Sequence, residues 1–365
     1  MGDAFEHLQP PYPVRHQAKV PFRPHIRAPP DLTQRLLEIQ RLDDELDRHI
    51  LSARDYFDLA SDAYGTNFHY STRMEGNPLD LDEVRRITRE SLRSRENLPK
   101  QPPQVQEIIN HVLAASNPIL EGPWSQDRIR ALHAALMSNA EPDSGPGQYK
   151  TERNPITQGG DVVFAPARPE DVLAEMESLV TWVNEDAPAL HPLVAATVFF
   201  HEFESIHPFR DGNGRTGRML FHGYLRTRGL RNAHLCKFEP YLTGQPELYY
   251  RLLSWTDHSD DYRPLLDFFT DAVLRAYREA HEHLKARDLL SSGLDEHAKR
   301  LLIQAKAHGG WFSVSEATHW VDSIQDVTVR KHLNRLVEVG ALEDNGKSTR
   351  GKRYRFASPF PTDRA

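Results

Sequence analysis

The sequence predicts a mainly α-helical fold with one small β-hairpin and a C-terminal α+β module. Three observations carry that prediction. Leu36, Leu37, Ile39, Leu42, Leu46 and Ile50 recur at spacings of three and four, the period of an α-helix, and comparable stretches fill most of the chain. Before residue 290, paired β-compatible pieces gather at 149–153 and 162–164, around Asn154, Pro155, Gly159 and Gly160. From about residue 294 the order changes to a helix, a short β-like run, two helices and two short strands.

The 365 residues are enough for two or three domains and a sizeable core. A net charge of −7 argues against a polyanion binder as a whole. One cysteine, Cys236, excludes an internal disulfide and suits a reducing compartment. No apolar run is long enough for a membrane span, and the first residues lack a signal-peptide core, so the expected setting is the cytoplasm without membrane attachment.

In order, residues 1–30 carry seven prolines and read as an extended arm. Residues 31–63 read as helix, and Gly76-Asn77-Pro78 is a helix stop. Glu75 falls just before that stop, where a helix dipole disfavours negative charge; taken alone it reads as a solvated surface residue. Helices follow at 81–97, 105–116 and 126–140, then the hairpin, then helices at 169–186 and 190–206. The pair Tyr249 and Tyr250 reads as aromatic packing within 238–269, and 275–290 as a charged helix. The closing pattern runs 295–308, 311–314, 315–321, 327–339, 341–344 and 353–356. The domain expectation is an arm at 1–30, an N-terminal helical region at 31–104, a core at 105–275, a linker helix at 276–293 and a module at 294–360.

Chemistry concentrates in His207-Pro208-Phe209-Arg210-Asp211-Gly212-Asn213-Gly214-Arg215-Thr216-Gly217-Arg218. It offers a histidine that takes a proton near neutrality, a carboxylate for a divalent cation, and two glycines that let backbone approach a ligand. Residues 215–225 read as a helix, so its N-terminus is an anion site, and Arg215 and Arg218 make that site one for polyphosphate. Gly212, Gly214 and Gly217 also match a dinucleotide fingerprint, but the approach is helical where that motif needs a strand. His201, Glu202 and His207 fail the spacing of a zinc-protease helix. A solvated basic loop has no need of this combination.

These residues resemble the Fic family signature H-P-F-x-[DE]-G-N-G-R-x-x-R at every fixed position. The resemblance implies a helical core and transfer of AMP from ATP, with Mg²⁺, to a Ser, Thr or Tyr hydroxyl of a target protein, self-modification included. It implies that His207 is the base and that Asp211 binds the metal. Gly212, Asn213 and Gly214 would cradle phosphate oxygens, Arg215 and Arg218 would hold the β and γ phosphates, and Phe209 would anchor the loop. Ser71-x-x-x-Glu75-Gly76-Asn77 is similar to the family's inhibitory-helix motif, whose glutamate pairs with the second arginine, here Arg218. The hairpin would be the flap that aligns the target, and Tyr249 or Tyr250 would line the adenine pocket. Asp257 stands where some relatives carry asparagine.

The C-terminal order resembles a winged helix-turn-helix, with Lys347, Arg350, Lys352, Arg353 and Arg355 as a basic cluster able to meet DNA phosphates. The competing reading, a protein-contact module, gains from Asp326 and Glu338 on the candidate recognition helix. The expected function is therefore an adenylyltransferase autoinhibited by Glu75. The alternatives are removal of AMP with water activated by Glu75, or a DNA-binding regulator whose core senses nucleotide. A homodimer stays open at this stage.

Overall fold

The computed structural model describes residues 5, 7–94, 101–141, 145–288, 294–321, 325–348 and 351–357. The chain forms two compact units, Met1–Asp43 with Asp62–Arg278, and Asp44–Ser61 with Glu279–Ala365. This division differs from the sequence-predicted boundaries. Residues 44–61 belong with the C-terminal part, and the expected linker helix is the end of a longer helix that begins at Arg263; residues 289–293 lie outside the described residues.

The first unit contains strand β1 (Val14–Arg15), most of helix α1 (Leu32–Arg48) and the C-terminal part of α2 (Ala53–Arg73). Residues 31–63 are thus two helices rather than one. Ser52 causes the restart, its Oγ accepting from Asp55 N at 3.1 Å as an N-cap. Next come α3 (Leu81–Arg93), α4 (Pro103–Ala115) and α5 (Gln126–Met137). Asp80 and Glu83 close α3 with a reciprocal capping box, and Pro103 starts α4, where its missing N–H costs nothing. Asn97, the expected end of α3, lies outside the described residues.

The hairpin is β2 (Ile156–Gln158) and β3 (Asp161–Ala165). Its first strand lies later than the 149–153 expected from sequence. Pro155 lacks a donor, while Tyr149 pairs instead with Phe209. Gly159 and Gly160, with φ of 60° and 94°, make the two-residue turn that only such residues adopt cheaply. The proline-rich arm adds β1 as a third strand, parallel to β3 with Val14 opposite Phe164, in the order β1-β3-β2.

Helices α6 (Val172–Glu185), α7 (Pro192–Ile206) and α8 (Asn213–Thr227) form the centre, and α9 (Glu239–Leu242), α10 (Pro246–Ser259) and most of α11 (Arg263–Lys285) complete the unit. Helix α7 is apolar almost all round, and a helix of that kind must be buried. Phe199, Phe200 and Phe203 are fully enclosed against α8 and its neighbours. No described helix is long and apolar enough to cross a membrane.

The second unit holds α12 (Glu296–His308), α13 (Val314–Thr318), α14 (Asp326–Glu338), and the antiparallel strands β4 (Leu342–Asp344) and β5 (Tyr354–Phe356). Leu301, Leu302, Phe312, Leu333, Leu336 and Tyr354 make its core, and Ile50 belongs to the same cluster. Strand pairing changes the reading of the basic cluster. Lys352 lies 2.9 Å from Asp344, and Arg355 pairs with Glu343 and stacks 4.5 Å over Trp311. The cluster has no acid in its own sequence, but the opposite strand supplies two. Arg350 and residues 358–360 lie outside the described residues.

Candidate active site

Helix α7 delivers His207 as its C-cap, in a left-handed conformation with φ 51° and ψ 59°. Non-glycine residues hold that conformation only when their surroundings fix it. Here Lys150 N donates to Pro208 O at 2.9 Å, and Lys150 Nζ donates to Ile206 O at 3.2 Å and Asn154 Oδ1 at 2.9 Å. Phe209 is fully buried and stacks on His133 with ring centroids 3.8 Å apart. It is the loop anchor.

The Asn213 amide spans the loop, accepting from Phe209 N at 2.9 Å and donating to Phe209 O at 2.9 Å. Its side chain is thus spent on shaping the loop, whereas the resemblance had Asn213 cradling phosphate oxygens. His133 accepts from Gly147 N at 2.8 Å through Nδ1 and donates to Asp211 O at 2.9 Å through Nε2. That pairing needs a neutral ring, and burial pushes its pKa down to about 4.

Helix α8 begins at Asn213, with Gly212 at its N-cap and no capping side chain. Gly212 has φ 73°, and a Cβ there would lie 2.8 Å from Met137 Cε, so glycine is required twice over. The uncapped first turn, with its positive dipole end, is suited to an anion. A Cβ on Gly214 would strike Glu75 Oε1 and lie 2.8 Å from Arg218 Nη1.

Arg218 is 4% exposed and is held by the segment around Glu75. It donates to Ser71 Oγ at 2.8 Å, Ser71 O at 2.9 Å and Glu75 Oε1 at 2.7 Å. Burial opposes its charge, but the fields of Glu75, Tyr249 and Glu239 with the Glu75 hydrogen bond hold its pKa above the ordinary arginine value. Glu75 lies in the turn just past α2 rather than inside it.

Arg215 departs from the sequence expectation. It is buried and bonds Glu107 at 2.7 Å, Glu141 at 2.5 Å and Asp211 at 3.3 Å. It does not line the cavity that holds His207 and Arg218. The Arg215 hydrogen bond pulls the Glu141 carboxyl down, but burial and the neighbouring Asp211 raise it on balance. Burial opposes the charge of Asp211, but the contact with Glu141, the Gly212 N–H and the Arg215 charge lower its pKa on balance. No motif in the sequence marks Glu107 or Glu141, because they come from other helices.

The cavity has a volume of about 710 Å³. His207, Asp211, Gly212, Asn213, Gly214 and Arg218 line one part of it, and Tyr249, Tyr250 and Asp257 also line it. His207 Nδ1 faces Glu204 O at 3.3 Å, which puts the proton on Nδ1 and leaves Nε2 as the basic nitrogen. Burial, then the charge of Lys150, pushes the His207 pKa down to about 4, so the ring is neutral at pH 7.

Tyr249 is 1% exposed and packs in the core against Phe200, whereas Tyr250 is half open to the cavity. Asp257 is buried beneath a hydrogen bond from Ser205, and burial pushes it up to about 7. Sequence reasoning missed Glu204, whose buried Oε1 has no partner and whose pKa burial raises to about 8. Its spacing of three from His207, one helical turn, was the available signal.

The Fic/DOC family model matches residues 123–225. The protein adenylyltransferase Fic of Drosophila virilis is 28% identical over 219 residues, which is 58% of this chain and 41% of the relative. That of Drosophila erecta is 29% identical over the same span and shares. The chain thus matches about two-fifths of the length of these curated relatives. Among solved structures, a Fic family protein from Desulfovibrio desulfuricans superposes with a TM-score of 0.60 at 24% identity, covering 92% of this chain and 98% of that one. Fic-1 from C. elegans gives 0.53 at 21% identity, covering 70% and 73%. With the matched span containing His207, the α8 N-terminus and Arg218 in one cavity, this chain carries a Fic domain over residues 123–225.

Proposed function

We propose that this protein is an adenylyltransferase that moves AMP from ATP to a Ser, Thr or Tyr hydroxyl of a target protein. The observation that carries the reading is a single cavity shared by a neutral histidine, an uncapped helix N-terminus and a buried arginine. The name borne by the curated relatives supports it.

The residues divide the work as follows. His207 Nε2 takes the proton of the attacking hydroxyl. Oxygen attacks the α-phosphorus, and pyrophosphate leaves. The backbone N–H groups at the start of α8 and the Arg218 guanidinium neutralise the phosphate charge where it develops. Arg215 orders the loop through its three carboxylates. Tyr250 offers a ring face for the base, and Tyr249 backs it. Asp211 is a half-exposed carboxylate beside the anion site, which fits a Mg²⁺ ion held by one carboxylate and substrate phosphates. When bound, that ion would lower the charge on the phosphates.

Glu75 is the brake in this reading. It occupies Arg218 and lies against Gly214, where a phosphate would need both. The C-terminal unit reads as a winged-helix module suited to protein contact, since two of its wing cations are already paired with acids. Incubation with α-labelled ATP and a cell lysate, followed by mass spectrometry, tests the function. Protein-bound AMP with stoichiometric pyrophosphate supports it, and nucleotide binding without transfer contradicts it.

A further inference from the structure

The cavity that holds His207 is also lined by Tyr12, from the N-terminal arm. Two residues later the arm becomes β1 and pairs with the hairpin, Val14 opposite Phe164 and His16 N donating to Ala165 O at 2.9 Å. The arm is pinned by side chains as well. Leu8, Val14 and Phe22 are buried, and the His16 ring bonds Ser205 Oγ at 2.7 Å and the Glu175 carboxylate. Tyr12 is nevertheless 53% exposed, and no hydrogen bond holds its phenol among the described residues. An extended segment laid along a strand edge, with one free hydroxyl at a cavity, has the form of a bound acceptor peptide.

The other cavity hydroxyls are worse placed. Ser205 donates to Asp257, and Tyr249 is buried in the core. Tyr250 and Ser254 are fixed on helix α10, and Thr157 on the hairpin. Tyr12 alone sits on irregular chain, between Pro11 and Pro13.

We propose that Tyr12 is a self-adenylylation site, with the N-terminal arm serving as a tethered acceptor segment held along the hairpin. This rests on the adenylyltransferase reading above. The Tyr12 oxygen forms a bond to the α-phosphorus of ATP, the bond from that phosphorus to the bridging oxygen breaks, and pyrophosphate leaves with the electron pair. The phenol proton passes to His207. Because the acceptor is part of the same chain, the modified fraction per molecule is independent of protein concentration.

The sequence makes the test clean. Tyr12 is the only Ser, Thr or Tyr in the first 32 residues, so a tryptic peptide ending at Arg15 carries a single hydroxyl side chain. The full chain with Glu75→Gly, with and without Tyr12→Phe, is incubated with α-labelled ATP and Mg²⁺ at two protein concentrations tenfold apart and mapped by mass spectrometry. The expected result is AMP on the 1–15 peptide, equal per molecule at both concentrations, and lost in Tyr12→Phe while lysate proteins are still labelled. AMP on Thr157 or Tyr250 with none on 1–15 overturns the assignment and leaves the function intact. Labelling of 1–15 that falls with dilution overturns the tethered geometry. If neither the chain nor any lysate protein is labelled, this inference falls together with the function.

Discussion

Glu75 Oε1 stands 2.7 Å from the Arg218 guanidinium, and both lie against the backbone of Gly214 in the first turn of α8. One carboxylate thus holds the arginine and covers the anion site at the same time. In the proposed function, an incoming phosphate has to displace it from both.

In the proposed reaction His207 sets the acid limb of the pH profile. Its pKa is pushed down to about 4 by burial, so the ring stays neutral well below the ordinary histidine value of 6.5. We expect kcat/KM to stay flat from pH 8 down to about 5.5 and to fall only as pH approaches that pKa. A limb centred near the ordinary histidine value would assign the base elsewhere. His207→Ala should abolish transfer with ATP binding retained, read by calorimetry.

Buried carboxyls set the stability profile above neutrality. Glu204 is pushed to about 8, and Glu202 and Asp257 to about 7, by burial. Each stays protonated in the folded state at a pH where the unfolded chain has lost the proton. The folded state therefore binds more protons, and stability falls as pH rises towards those values. The depressed histidines act in the opposite sense, but only below about 6.5, their unfolded value. Melting temperature should decline between pH 6.5 and 8, and Glu204→Gln, which mimics the protonated form, should flatten that decline.

Arg215 is structural in this account. Removing it leaves Glu107 buried and three carboxylates without their cation. Only the pair with Glu107 is buried, and removing one partner of such a pair costs roughly 3–5 kcal/mol, while the partly exposed Glu141 and Asp211 add little. Arg215→Ala should therefore lower the stability measured in urea by about that much. Unchanged stability with weakened ATP binding would return Arg215 to the phosphates.

The C-terminal unit should not bind DNA strongly. With Lys352 and Arg355 paired, gel-shift titration of the full chain at low salt should give a Kd weaker than about 0.1 mM, the edge of the non-specific range. Tighter, salt-sensitive binding would favour the regulator reading. Deleting residues 294–365 should also destabilise what remains, since Ile50 loses the core in which it is 2% exposed.

The signature was legible because its twelve residues are contiguous, and their types alone specify a base, a metal ligand and an anion site. Glu75 was legible only through a second motif, since nothing local reveals that Arg218, 143 residues away, lies beside it. Helix positions followed from periodicity, but the break at Ser52 depended on a single cap. The first hairpin strand shifted to 156–158 because Tyr149 found its partner in Phe209. The carboxylates around Arg215 and the acids opposite the wing cations arise from chain pairing, which composition does not encode.

The most direct test of the central claim is label transfer from α-labelled ATP by wild type, Glu75→Gly and Glu75→Gly with Arg218→Ala, in lysate. The charged hydrogen bond lost is worth roughly 1.5–3 kcal/mol, or about ten- to a hundredfold in an equilibrium. The account predicts a rise of about that size in Glu75→Gly and its disappearance in the double variant. A Glu75→Gly chain no more active than wild type would contradict it, and one that instead loses an AMP-removing activity would make Glu75 the water-activating group.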